Sequence, residues 1–246
     1  MRYLIVSDLH ANLEALHAVL AQSAGGYDRA LCCGDLVGYG ADPNPVCDWV
    51  RLNCAAVVRG NHDRASTGQD DLEWFNPVAR DAAMWTQQVL SSENAEYILG
   101  LPPGPVTVGT FQLFHGSPCD EDEYVTAADE ANQAFDYLET RVAFFGHTHM
   151  QGGFIWNQSR VETILRMSAR SDSQSLLIDP ECAYMSNPGS TGQPRDGDPR
   201  AAYAIYDTEA KEVIYHRVVY DIAAAQKKIH AAGLPPILAD RLAVGR

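Results

Sequence analysis

The residues able to do chemistry fall into five short motifs: Asp8-x-His10, Gly34-Asp35, Gly60-Asn61-His62-Asp63, His115-Gly116 and Gly146-His147-x-His149. Together they hold five of the eight histidines in the chain. Carboxylate, imidazole and amide oxygen are standard donors to a borderline divalent metal. Taken singly, each motif has a structural explanation: Gly-Asp as a turn, Gly-Asn-His-Asp as a tight loop, His115 as a satisfied core histidine. The set asks for more, because each member follows an apolar run. A binuclear site needs one anionic ligand shared by two ions ~3.5–4 Å apart, and a water between such ions becomes a hydroxide nucleophile near neutral pH. Asp35 suits the shared position, having two oxygens and a central place in the order, and Asp8 with His10 would serve one ion from the first strand. Neutral imidazoles and an Asn carbonyl would fill the remaining positions without excess negative charge. Glycines at 34, 60, 116 and 146 suit tight turns and close approach.

The elements that must position these motifs are readable from periodicity. Residues 2–6 form a short apolar strand, and on its extended backbone Asp8 and His10, two positions apart, are expected to point the same way. A helix is predicted from Ala11 to Leu20, with apolar residues at 13, 16, 19 and 20. A second strand, Ala30 to Cys33, runs into Gly34-Asp35, and Asp42 is expected to cap a helix with Pro43 at its first position. Strand Ala55 to Val58 leads to Asn61. Further on come a helix over 74–90, a chain break at 101–105, a strand 110–114 before His115, a helix over 127–138 and a strand 142–145 before His147. In open α/β sheets, the C-terminal strand edge is where ligands bind. Beyond Met150 short β segments are predicted at 153–156, 161–165, 175–178, 182–185, 201–206 and 212–219. The acidic run Asp120-Glu-Asp-Glu123 reads as a solvated loop, with a lid as the alternative, and 187–194 as a long turn-forming loop. With no linker or repeat, residues 1–246 are expected to form a single domain ending in a helical tail from about 221.

Bulk properties narrow the field. A net charge of −14 disfavours long nucleic acid as a partner, while a small phosphorylated substrate stays compatible because metal ions would dominate the local field. The six cysteines show no CxxC spacing and read as reduced thiols. No run is long enough to span a membrane and the apolar N-terminus is too short for a signal peptide, so the expectation is a cytoplasmic protein. Self-association is left open. Gly189-Ser-Thr-Gly192 is not a nucleophile elbow, and neither a Walker A motif nor a dinucleotide fingerprint is present.

The five motifs, in this order from residue 8 to residue 149, resemble the calcineurin-like metallophosphoesterase superfamily. Gly34-Asp-Leu-Val-Gly-Tyr-Gly40, Asn187-Pro-Gly-Ser190 and Gln193-Pro-Arg-Asp196 resemble its small prokaryotic branch of YfcE-type phosphodiesterases. The resemblance implies an α/β (α+β) fold with two mixed β-sheets packed as a sandwich and flanked by helices. It implies two divalent metal ions, manganese first, with iron, zinc or nickel as substitutes. Asp8, His10, Asp35 and His149 would hold one ion, and Asp35, Asn61, His115 and His147 the other. His62 would contact the phosphate and protonate the leaving oxygen, with Asp63 orienting its ring. The implied reaction is in-line attack of a metal-bridging hydroxide on phosphorus. Outside the motifs, Asn12, Arg59 and Arg195 are candidate substrate contacts. Tyr39 is weighed between the substrate and an ordinary surface place, and His216 and His230 are read as surface histidines. A phosphodiesterase is the leading expectation. The same motifs serve phosphomonoesterases, protein phosphatases and dinucleoside polyphosphate hydrolases, and a repair nuclease is disfavoured by the acidic charge. A protein-binding scaffold of this fold, as in the retromer subunit, would be expected to have lost ligands, and here every position is filled.

Overall fold

A computed structural model describes residues 1–164, 167, 168 and 170–246. The chain begins with β1 (Arg2–Val6), α1 (Leu13–Ser23), β2 (Arg29–Cys32), α2 (Pro43–Asn53) and β3 (Cys54–Val57). In β1, Leu4 and Val6 join one apolar cluster while Ile5 joins another, the period-two alternation of a strand covered on both faces. That double burial is why β1 reads as a continuous apolar run. There follow α3 (Asn61–Ser66), α4 (Pro77–Val89), α5 (Ser92–Leu99), β4 (Val106–Val108), β5 (Phe111–Leu113), α6 (Ala128–Phe135) and β6 (Val142–Phe144). The second half adds β7 (Gly152–Trp156), β8 (Val161–Thr163), β9 (Ser173–Leu177), β10 (Ala183–Asn187), β11 (Ala201–Asp207), β12 (Glu212–Val218), α7 (Ile222–Ala231) and α8 (Pro236–Asp240).

Among the described residues the strands form two mixed sheets of six, β3-β2-β1-β11-β12-β9 and β4-β5-β6-β10-β7-β8. Ile5, Leu31, Phe111, Phe144, Tyr184, Tyr206 and Tyr215 pack between the sheets. The outer face of the first sheet is covered by α1, α2 and α5 through Leu16, Val19, Val46, Val50 and Ile98. The outer face of the second packs on α6 through Ala131 and Ala134. Each fully buried leucine or phenylalanine contributes about 1.5–3 kcal/mol. The layering is the expected sandwich flanked by helices. Its use for chemistry lies in strand direction: β1, β2 and β3 are mutually parallel, as are β5, β6 and β10. The C-terminal ends of each set therefore share a rim, and every motif leaves from one of those ends.

Several boundaries differ from expectation. The first helix starts at Leu13, with the Asn12 Oδ1 accepting from Ala15 N at 3.1 Å, because residues 8–11 are taken up by a loop with left-handed backbone at Asp8, His10 and Ala11. Asp42 occupies the N-cap position of α2 with Pro43 next, yet its side chain makes no cap; it accepts from Lys228 Nζ at 2.8 Å instead. The helix expected over 74–90 is divided, since Pro77 fixes a new start and Asn76 caps it. Residues 72–74 form a separate 3-10 turn. Helix α5 and strand β4 were not anticipated: both are short and flank the proline-rich break. Expected strand 161–165 runs only to Thr163, and its last position lies outside the described residues. The six cysteines are free. Among the described residues no helix is long and apolar enough to cross a membrane.

Candidate metal centre

The motifs do not sit on strand tips, as the extended spacing of Asp8 and His10 had implied. They lie two to six residues beyond, where the backbone turns sharply. Asp8, His10, Asp35, His147 and His149 have φ values between 44° and 64°, a region side-chain-bearing residues seldom adopt. Such strain persists only where the surroundings over-determine it, and it clusters at functional sites. The surroundings here are neighbouring loops: Asp8 N donates to Gly34 O at 2.9 Å and His10 N to Asp35 O at 3.0 Å. His62 N donates to Asp35 Oδ1 at 2.9 Å and His147 N to Asp8 Oδ1 at 3.1 Å. A Cβ at Gly60 would collide with the Asp35 carboxylate, so glycine there is a requirement of close approach.

Each carboxylate thus spends one oxygen on a neighbouring loop and keeps the other free. Asp8 Oδ2, Asp35 Oδ2, Asn61 Oδ1 and His115 Nε2 are buried without a hydrogen-bond partner. Unpaired buried polar atoms cost about 1–3 kcal/mol each. Four at one place call for a ligand. The imidazoles agree: His10 Nδ1 lies 3.0 Å from Val37 O, His115 Nδ1 2.7 Å from Cys33 O and His149 Nδ1 2.6 Å from Gln193 O. A nitrogen facing a carbonyl must carry the proton, which leaves Nε2 of all three facing the cluster, as a lone pair wherever the ring is neutral. His147 is reversed, with Nε2 3.1 Å from Asp122 O and Nδ1 left as the donor atom. His10 Nε2 and His149 Nε2 face each other at 3.0 Å. Burial and the Arg195 charge hold His149 well below its usual pKa, and burial does the same for His10, so both are neutral. Two opposed lone pairs are not a hydrogen bond; a cation between them is what the geometry fits.

The donor atoms of Asp8, His10, Asp35 and His149 lie within 4.8 Å of one another, as do those of Asp35, His115 and His147. Asp35 belongs to both groups, with Oδ2 3.6 Å from His10 Nε2 and 3.3 Å from His115 Nε2. The second contact is not aligned as a hydrogen bond. Burial pushes Asp8 up to about 7, with Asp35 adding to the rise. Burial would also raise Asp35, but the His115 charge, the largest opposing influence, holds it well below the usual carboxylate range. Burial opposes a proton on His115, yet Asp35 and Asp8 raise it to about 10.

The remaining candidates are placed as follows. His62 stands in a cleft of about 420 Å³ with Asn61, His147, Tyr39, Phe75, Tyr124 and Arg64. Burial lowers His62 to about 4, and its Nδ1 has no partner. Asp63 does not orient that ring, contrary to expectation. Its Oδ1 accepts from Leu36 N at 2.8 Å and Val37 N at 3.2 Å, and its Oδ2 from Gly60 N at 3.0 Å, so it pins two motif loops together. Arg59 points away from the cluster onto Glu121 at 2.9 Å and Gln69 at 3.0 Å. Asn12 is spent on capping α1 and on Gly192 O at 2.8 Å. Arg195 does reach the site, its guanidinium 5.6 Å above the Tyr39 ring. Tyr39 is not a surface residue: it is buried against His10 and His62, with ring centroids 4.6 and 4.3 Å away. The acidic run is solvated at Asp120, Asp122 and Glu123, as expected, but Glu121 is buried and neutralised by Arg59 and Arg64, Arg64 also takes Asp122, and the Asp122 carbonyl holds His147. His216 is half-buried, stacked on Tyr203, while His230 is exposed.

Two features escaped the sequence. The Tyr124 ring lies against His147, tilted by 38° with ring centroids 3.8 Å apart, and no spacing announces it. Loop 187–196 braces the centre: Ser190 Oγ donates to Asp8 O at 2.8 Å, Gly192 N to Asp8 O at 2.9 Å, and Arg195 N to His149 O at 3.2 Å. Its density of Ser, Thr, Gly and Gln was the available signal, since such residues satisfy buried backbone cheaply.

The chain matches the family model described as the calcineurin-like phosphoesterase superfamily domain over residues 1–211. It is 36% identical over 249 residues to protein MJ0912 of Methanocaldococcus jannaschii, covering 98% of this chain and 97% of that one. The crystal structure of a metallophosphoesterase from Sphaerobacter thermophilus superposes with TM-score 0.86 at 40% identity, over 100% of this chain and 99% of the other. That of PH1004 from Pyrococcus horikoshii OT3 superposes with TM-score 0.77 at 18% identity, over 100% and 98%, a likeness of fold.

Proposed function

Because this chain belongs to the calcineurin-like phosphoesterase superfamily, and so is a metal-dependent phosphoester hydrolase, we propose that it is a binuclear phosphodiesterase acting on small phosphorylated molecules. The observation that carries this reading is the pair of buried donor groups joined at Asp35, with unpartnered atoms on Asp8, Asp35, Asn61 and His115. One ion would be held by Asp8, His10, Asp35 and His149, the other by Asp35, Asn61, His115 and His147. Manganese suits the mixed oxygen and nitrogen donors, with iron, zinc or nickel as substitutes. Bound there, the ions would supply Lewis acidity to the phosphoryl oxygens and lower the pKa of a water.

The protein's own residues supply the rest. His62 lies against Tyr39 at the cleft wall, next in sequence to Asn61, placed to meet the phosphoryl group and its leaving oxygen. Burial disfavours its charged form, and an approaching phosphate anion favours its protonation. It then serves as general acid. Tyr39, Phe75 and Tyr124 give the cleft aromatic walls for an organic leaving group, which favours esters of a cyclic or aromatic alcohol over bare phosphate. Asp63 is a positioning residue, tying the Asp35 and Asn61 loops together.

The test is hydrolysis. Purified protein loaded with Mn²⁺ should cleave phosphodiesters, and Asp35→Asn, which removes the shared anion while keeping the shape, should lose at least a hundredfold. Equal rates from the two proteins would refute the reading.

A further inference from the structure

Two cations beside the metal centre lack the partners that the rest of the molecule supplies. Arg59, Arg64, Arg200 and Arg217 have side chains 16%, 20%, 13% and 4% exposed, and every one pairs with a carboxylate. Arg195 and Arg241 are also half-buried, yet among the described residues neither has a carboxylate within ion-pair distance. Both instead lean on one neutral atom, Gln193 Oε1, with Arg195 at 3.1 Å and Arg241 at 3.4 Å. The Nε of each is buried and unpartnered. Two guanidiniums drawn to one amide oxygen repel each other, and half-buried charge without a counter-ion is costly. In a chain of net charge −14 carboxylates are plentiful, so their absence here is a property of the site.

The pair is tied to the centre through Gln193 and Tyr39. Gln193, which holds both side chains, also accepts the Nδ1 proton of His149 on its backbone carbonyl. Arg195 lies over Tyr39, whose ring touches His10 and His62. Arg241 arrives from elsewhere: it opens the 3-10 turn Arg241–Ala243 after α8. That tail packs on Tyr39 through Ile229, Leu234, Leu238 and Leu242, and Lys228 pins it to Glu14 and Asp42. The family model matches residues 1–211, and Arg241 lies beyond them.

From this placement we infer that Arg195 and Arg241 form an anion subsite for a second phosphoryl group, next to the one cleaved at the metals. The inference rests on the phosphoesterase reading above and sharpens its substrate class to small molecules carrying two neighbouring phosphoryl groups. Guanidinium is suited to this because its planar fork matches phosphate oxygens and stays charged at any working pH. Arg195 faces the Tyr39 side of the cluster, and Arg241, sharing Gln193 with it, extends the positive surface toward the tail. An anion seated between them would offset their mutual repulsion.

The probes are methylphosphonate, with one anionic group, and methylenediphosphonate, with two. Their dissociation constants are measured by calorimetry on Mn²⁺-loaded wild type, Arg241→Gln and Arg241→Lys, with inhibition of ester hydrolysis as a second readout. The diphosphonate should bind wild type at least tenfold more tightly than methylphosphonate. Arg241→Gln should lose at least fivefold for the diphosphonate and less than twofold for methylphosphonate, and Arg241→Lys should recover part of the loss. Since a diphosphonate also ligates metal, the comparison between variants isolates the arginine. Should Arg241→Gln misfold, Arg195→Gln carries the same diphosphonate prediction. Loss of both affinities alike, or of neither, overturns the subsite. A diphosphonate preference that depends on Arg241 in a protein that cleaves no ester would instead overturn the catalytic reading and leave the subsite standing.

Discussion

His62 is the residue whose role separates most cleanly from metal holding. It contributes a backbone amide to Asp35 Oδ1, which any residue but proline can make, and a side chain that faces the cleft. His62→Ala should therefore keep two metals per chain by elemental analysis while its turnover falls about 10²–10⁴-fold, the range for loss of a positioned general acid. Unchanged turnover would remove it from the mechanism. At this scale the sequence was legible wherever residue type alone sets the task. Six of the seven residues expected as ligands fall into two donor groups that share Asp35, and the seventh, Asn61, ends in a buried unpartnered oxygen. Partners of those residues were not legible. Asp63 beside His62 in sequence suggested a carboxylate–imidazole pair, but on the helix that begins at Asn61 its carboxylate turns back to the amides of Gly60, Leu36 and Val37. Arg59 likewise looked like a substrate contact, and its destination on Glu121, 62 residues away, depends on tertiary folding.

The elements matter through their ends. Strands β1, β2 and β6 were readable because their last three residues are buried and apolar, β3 and β5 because they are short runs just before a motif although Ala55 is exposed and Gln112 is polar, and each motif could be attached to one of the five. Sheet membership was not readable: β10, far along the chain, pairs with β6 and delivers loop 187–196 to the same rim. The hydroxyl of Ser190 spans Asp8 O and Gln193 N, fastening a ligand loop to the brace that holds His149. Ser190→Ala should weaken metal affinity by about tenfold, as loss of outer supports to metal ligands does, with about 1 kcal/mol of stability lost. Metal titration followed by fluorescence or calorimetry would show it. An affinity equal to wild type would make the loop a passive cover. The acidic run teaches the same lesson from the other side. Four adjacent carboxylates read as solvated, and three are, but Arg59 and Arg64 arrive from other elements to neutralise the buried Glu121.

For the whole molecule, the centre ties both sheets together, since Asp8, Asp35 and Asn61 follow strands of one and His115 and His147 follow strands of the other. We propose that the 246 residues unfold as a single domain, so chelation should lower one shared melting transition rather than release one half. With free metal at 100 times its dissociation constant, the stabilisation should be about 2.7 kcal/mol. Two transitions by calorimetry, only one of them metal-sensitive, would contradict this. The central claim is that one carboxylate serves two ions, and anomalous diffraction from a Mn²⁺-loaded crystal tests it most directly. The account predicts two peaks ~3.5–4 Å apart, with Asp35 touching both, Asp8 and His149 meeting at the first, and His115 and His147 at the second. A single peak, or two peaks that do not share Asp35, would contradict it.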